Sequence, residues 1–282
     1  MKKVLENKID FVALVRVENA NPNGDPLNGN RPRATFSQYG EISDVCIKRK
    51  LRNRLQDMME NVFVQSADRC DDGMGSLSER ASANIKDYKS ADEYAAKACE
   101  KWIDVRSFGQ VFAFKAEKGS GVSVGVRGPV SIHHAVSVNP VLINSRQITK
   151  SVNGEPSEGK ASDTMGQKHS VEFGLYKIKG SINVQLAEKT GFTEEDAEKI
   201  KEALKTLFVN DASSARPEGS LEVVKLYWFK HNNKIGQYST AKVHNMVEIT
   251  CKDGVEIPES MNDYVISLNK PEDLVCEEIE GF

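Results

Sequence analysis

Four short apolar runs alternate with two amphipathic helical stretches along this chain, and that order admits few folds. Residues 9–17, Ile-Asp-Phe-Val-Ala-Leu-Val-Arg-Val, read as a buried strand. A helix is expected from its N-cap, Ser43, to about Val62. Ile47, Leu51, Leu55, Met58 and Val62 recur three or four residues apart and so share one stripe. Gly128-Pro129 opens a strand over 130–138, and another is expected over 171–186. Thr193 caps a second helix, with Glu194, Glu195 and Asp196 in its first turn and Ala197, Ile200, Leu204, Leu207 and Phe208 as its apolar stripe. Residues 221–229 form the last strand. The order is β-α-β-β-α-β, and two one-sided helices must cover one face of an antiparallel sheet. This predicts an α+β protein with a modified RRM, ferredoxin-like core, a single domain over residues 1–282. The aromatic signature of RNA-reading RRM sheets is absent, so RNA contact through exposed sheet aromatics is not the natural reading.

Three stretches interrupt the core. Residues 66–100 are polar and read as an irregular insertion with room for a short helix. Residues 102–114 have mixed character, with helix favoured. Residues 144–169 are poor in apolar side chains and read as a projecting arm carrying Arg146, Lys150, Lys160, Lys168 and His169. The five cysteines are far apart with no Cys-x-x-Cys pair, which argues against a zinc ribbon or a disulfide scaffold and fits a reducing cytoplasm. No apolar run has the length of a signal or a membrane span.

The formal charge of −3 conceals an asymmetry. Between Arg31 and Arg54 seven basic residues face two acidic ones, whereas from Val255 to Phe282 eight acidic residues face one lysine. One region is built to meet an anion. The loop at 19–33, rich in Asn, Pro and Gly, runs into the basic helix. Its N–H groups and the helix N-terminus suit a phosphate, and Lys48 and Arg52, four apart, can grip neighbouring phosphates. Sharper chemistry is disfavoured. The Asn19-x-Asn21-x-Asn23 pattern lacks the carboxylates of a calcium loop. His133 and His134 alternate along a strand, which predicts one core and one surface histidine and no shared metal. Asp25, next to Pro26, reads as a loop-shaping residue, and Cys46 as a buried helix position. No catalytic set, metal or cofactor is expected.

Several ordered blocks carry a resemblance. They are Asn21-Pro22-Asn23-Gly24-Asp25-Pro26, Asn30-Arg31-Pro32-Arg33, Ser43 to Asn53, Asp104-Val105-Arg106-x-Phe108-Gly109, Gly128-Pro129-Val130, Thr164-Met165-Gly166-x-Lys168-His169 and Ser213 to Gly219. Together the chain resembles the backbone subunit family of type I-C CRISPR Cascade (Cas seven, also called Csd two). The resemblance implies a hand-like modified RRM, with residues 64–100 in the fingers and 142–170 as a thumb. It implies copies stacked in a helical filament along the CRISPR RNA, protecting it and presenting it to target DNA beside Cas five, Cas eight and a small subunit. RNA contacts are then expected from Asn21, Asn23, Arg31, Arg33, Ser43, Lys48, Arg49, Arg52, Arg106, Lys150, Met165, Lys168, His169 and Arg216. The alternative is a ribonuclease of the same superfamily, processing guide precursor or cutting target RNA.

Overall fold

β1 (Ile9–Ala20) is the spine of the molecule, and its first seven residues are all buried. Both faces of the strand are covered, which is why its apolar residues run on rather than alternate. The computed structural model describes residues 3–114, 122–149 and 165–282. After β1 the Asn-rich loop folds back through β2 (Gly24–Asp25) and β3 (Arg31–Pro32) to β4 (Tyr39–Ile42). α1 (Asp44–Asp57) starts where expected, with Ser43 accepting the Cys46 N–H, but it ends at Asp57 rather than Val62. Met58 caps it, Met59 turns with φ of 64°, and Val62 still enters the core, from non-helical chain.

The 66–100 insertion is more regular than its polarity predicts. It holds α2 (Leu77–Asn84) and α3 (Ala91–Lys101), capped by Ser76 and Ser90. α4 (Ile103–Phe108) then leads straight into β5 (Gly109–Phe114), which pairs with β6 (Val122–Arg127), so the helix expected over 102–114 is half strand. Gly109, at φ of 81°, makes that junction, and a Cβ there would lie 2.4 Å from the Val126 carbonyl. These elements enclose a small core of their own, in which the Phe63 ring sits 4.6 Å from Trp102 and 5.1 Å from Phe112.

The strand expected over 130–138 is broken into β7 (Val130–Ile132) and β8 (Ala135–Pro140). His133 and His134 occupy the break, and both are exposed, so neither is the core histidine that strand alternation predicts. β9 (Ile143–Thr149) and β10 (Met165–Ile182) pair as an arm. β10 stops at Ile182 because Asn183 caps α5 (Val184–Thr190). α6 (Glu194–Lys205) has the expected start, a reciprocal capping box between Thr193 and Asp196. β11 (Leu221–Lys230), α7 (Thr240–Asn245), β12 (Val247–Cys251), β13 (Tyr264–Leu268) and β14 (Val275–Glu280) complete the chain.

The main sheet runs β14-β11-β1-β10-β8-β4, with β7 and β9 also on β10, and its pairings are antiparallel. On one face Ile47, Leu51 and Leu55 of α1, Ala187 of α5 and Ile200 and Leu204 of α6 join Phe11, Ile178 and Trp228 of the sheet in one core. The other face is covered as well: Val12, Leu14, Leu175, Tyr227 and Phe229 pack with Val243 of α7, Val247 of β12 and Tyr264 of β13. Among the described residues no helix is long and apolar enough to cross a membrane.

Candidate nucleic-acid interface

The loop from Asn21 to Arg33 is held from several sides. Asn21 is buried. Its N–H donates to the Ala215 carbonyl at 2.9 Å and its Nδ2 to the Asn30 carbonyl at 2.6 Å. Asn23 Oδ1 accepts both the N–H and the hydroxyl of Ser43 at 2.9 Å, which ties the loop to the start of α1. Asp25 accepts the Leu27 N–H at 3.3 Å and Arg33 Nη2 at 3.4 Å, the loop-shaping part expected of it. Arg31 donates to Ser145 on β9 at 2.9 Å, and His169 Nδ1 lies 2.8 Å from the same hydroxyl. Lys168 stands directly opposite Arg146 in the ladder. Arg31 and His169 therefore meet at Ser145 where the loop joins the arm, while Arg146 and Lys168, one rung along, project from the arm's other face. Like charges opposed across a ladder repel. Among the described residues no carboxylate makes an ion pair with Arg31, Arg146 or Lys168.

The basic helix is arranged differently. Lys48 pairs with Asp44 at 3.0 Å on the surface, and Arg49 donates to the Val64 carbonyl at 3.3 Å. Lys50, buried, pairs with Asp211, which also takes Arg216 at 3.2 Å. Arg52 donates to Asp104 at 2.9 Å with its guanidinium 5.2 Å from the centre of the Phe108 ring, and Arg54 donates to Thr206 at 2.7 Å. Of the expected pair, Lys48 lies at the surface on Asp44 and Arg52 is engaged by Asp104. Arg52 turns inward because the fully buried Asp104 needs a cation. Cys46 is half-buried rather than buried, and burial pushes its thiol up.

Sequence comparison decides the family. A profile for CRISPR-associated protein Cas7 matches residues 7–269. The chain belongs to the Cas7 family. It is 22% identical over 281 residues to the CRISPR-associated protein Cas7 of Haloferax volcanii, with 94% of this chain and 81% of that protein covered. Its fold is similar to that of a chain in a structure described as a CRISPR RNA-guided surveillance complex, pre-nicking. The TM-score is 0.51 at 17% identity, covering 84% of this chain and 81% of that one.

In this Cas7 chain the Asp104 to Gly109 block is architectural. Arg106, expected at the RNA, makes two bonds to Asp196, at 2.9 and 2.7 Å, and a third to the Cys99 carbonyl at 3.1 Å. Burial alone would raise the Asp196 carboxyl, but Arg106 and the hydrogen bonds from Thr193 together outweigh it and hold the group below the usual range. Met165 is exposed at the start of β10, opposite Thr149. Lys150 lies outside the described residues. Arg146 was not singled out from the sequence as an RNA contact. Its signal was the pairing of an arm whose two strands place positions 146 and 168 side by side.

Proposed function

We propose that this Cas7-family chain is the non-catalytic backbone subunit of a type I-C surveillance complex. It polymerises along the guide RNA, protects it and presents its bases for pairing with target DNA. The observation that carries this reading is a cationic arm beside the Asn/Gly loop, with Arg31 and His169 meeting at Ser145 on one face, Arg146 and Lys168 on the other, and no carboxylate ion-paired to Arg31, Arg146 or Lys168 among the described residues. A coat for any guide must bind what all guides share, which is phosphate. The strand order β11-β1-β10-β7, with α1 and α6 packed on one face, supports an RRM-like core, since the first and third strands of that core lie at its centre. In this reading the fingers extend beyond residues 64–100 to include α4 and the β5–β6 pair, and the 142–170 arm is the thumb. Met165 is then available to a guide base or to the next copy. The other partners are Cas five, Cas eight and the small subunit, in the cytoplasm.

Incubation with labelled RNA tests the reading. The purified protein should retard RNA of any sequence and leave it intact in magnesium. A cleavage ladder that disappears in Asp25→Asn, His134→Ala or His169→Ala would make the protein a ribonuclease instead.

Lys168→Ala and Arg146→Ala should each lower the salt dependence of RNA binding by about one counterion. Neither should lower the melting temperature, because each removes a like-charge contact. A salt slope unchanged in both variants would move the interface elsewhere.

A further inference from the structure

The cover on the second sheet face stops short of the sheet's end. Where β7 gives way to β8, a cavity of about 410 Å³ remains, lined by His133, His134, Val136, Lys177, Lys179 and Ile249. Lys177 Nζ donates to two carbonyls that end α7 and begin β12, His244 at 2.9 Å and Val247 at 2.6 Å. Neither Lys177 nor Lys179 has a carboxylate within ion-pair distance among the described residues. Burial, with the charge of Lys179 adding to it, holds Lys177 down to about 8, and the charge of Glu248 offsets only part of this. The His133 ring packs edge-on against His244 at 5.6 Å. His134 Nδ1 lies 3.2 Å from Asp44 Oδ1 and accepts the Asp44 N–H at 3.3 Å, so the cavity adjoins the first turn of α1 and, through Ser43 and Asn23, the loop.

Two lysines held side by side and half out of water, with no carboxylate at ion-pair distance among the described residues, cost the fold stability. Such groups concentrate at sites where a ligand supplies what is missing. We propose that this cavity binds a phosphate group, with Lys177, Lys179 and His133 as its donors. The opening is larger than a phosphate ion requires, and Val136 and Ile249 offer an apolar wall to whatever the phosphate is attached to. Its continuity with the start of α1 favours an internucleotide phosphate of bound RNA over a free ion, and that identification rests on the function proposed above. RNA would then follow a track from the arm and loop, past the first turn of α1, onto the sheet face opposite the helices. The sheet would contribute through cations, the aromatics of β1, β10 and β11 being buried.

Lys179→Gln is the test, because Lys179 makes no side-chain hydrogen bond or ion pair among the described residues and its loss should not unfold the chain. Binding of a labelled RNA oligonucleotide is followed by fluorescence anisotropy over a range of salt, and melting temperature is measured with and without inorganic pyrophosphate. For Lys179→Gln we expect about fivefold weaker RNA binding near 0.1 M salt and a salt slope lower by about one. Lys177→Gln should weaken binding similarly but also melt earlier, since it anchors two carbonyls. Wild-type affinity and slope in Lys179→Gln, with RNA otherwise bound, would overturn the pocket and leave the coat function standing. Failure of the wild type to bind RNA would overturn the coat function alone. Pyrophosphate that stabilises the wild type and not Lys179→Gln would still support the pocket in that case, as a site for free phosphate.

Discussion

Replacing Asp104 with Ala is expected to lower stability by about 3–5 kcal/mol at pH 7, read as a shift of the urea midpoint. Asp104 is fully buried and accepts three hydrogen bonds, from the N–H groups of Phe63 at 2.7 Å and Val64 at 3.1 Å and from Arg52 Nε at 2.9 Å. Truncation strands two backbone donors and a guanidinium whose side chain is only 14% exposed. The position also joins two cores. Ile103, just before it, packs under the main sheet, while Val105, just after it, packs with Phe63 and Trp102 in the separate cluster. Asp104→Asn should lose nearly as much, because an amide presents hydrogens to groups that already donate. Adding Arg52→Met to Asp104→Ala should recover part of the loss, since an absent pair costs less than a broken one. A loss under about 1 kcal/mol in Asp104→Ala would show that this carboxylate does not tie the two cores together.

This explains why one ordered sequence block was legible as a block while the part its charges play in the fold was not. Asp104, Arg106, Phe108 and Gly109 form a junction: two charges that satisfy partners far along the chain, a ring under a guanidinium, and a glycine whose backbone conformation and crowding exclude a side chain. Spacing along one chain cannot say whether an arginine meets a phosphate or a buried carboxylate. Arg52 and Arg106 met carboxylates at positions 104 and 196. Features that depend on neighbours in sequence were readable, and so Ser43 and Thr193 cap helices where they were expected to. The same signal went unread in the insertion, where Ser76 precedes Glu79 and Ser90 precedes Glu93 at capping-box spacing, and each serine accepts the N–H of its glutamate. The second cover of the sheet was hidden for another reason. Its strands β12 and β13 are short and only partly buried, so their burial comes from the sheet they cover and not from a periodicity of their own. The cations of the candidate interface were readable one by one, but their placement needed the β9–β10 ladder, which sets Arg146 against Lys168 on one face of the arm and His169 on the other.

Replacing Asp10 with Asn should loosen that second cover selectively, at a cost of about 3 kcal/mol or more. Asp10 lies on β1 with no exposed surface, and three donors converge on it: Lys8 Nζ at 3.0 Å, His231 at 2.9 Å and the Thr240 hydroxyl at 2.9 Å. The Gln237 N–H donates to His231 Nδ1 at 2.9 Å, so Nε2 is the nitrogen that faces Asp10 as donor. His231 and Thr240 lead into and begin the segment that covers Val12 and Leu14, and Asp10 is thus the pin that fixes the cover to the sheet. Hydrogen exchange should rise over α7, β12 and β13 in Asp10→Asn while α1 and α6 stay protected. The effect has a definite pH window. Burial acts to raise the Asp10 carboxyl, but the hydrogen bonds from His231 and Lys8 outweigh it and leave the group below its ordinary value of 3.8. A carboxyl depressed in the folded state contributes stability in full above its unfolded value and loses it as pH falls through the folded one. The gap between wild type and Asp10→Asn should therefore be constant near neutrality and narrow only below about pH 4. The same variant should weaken RNA binding if the lysine cavity holds phosphate, because Lys177 takes its position from carbonyls at the end of α7 and the start of β12. A gap that narrows above pH 5, or exchange that rises equally throughout the chain, would mean that Asp10 supports the whole fold and does not pin this cover.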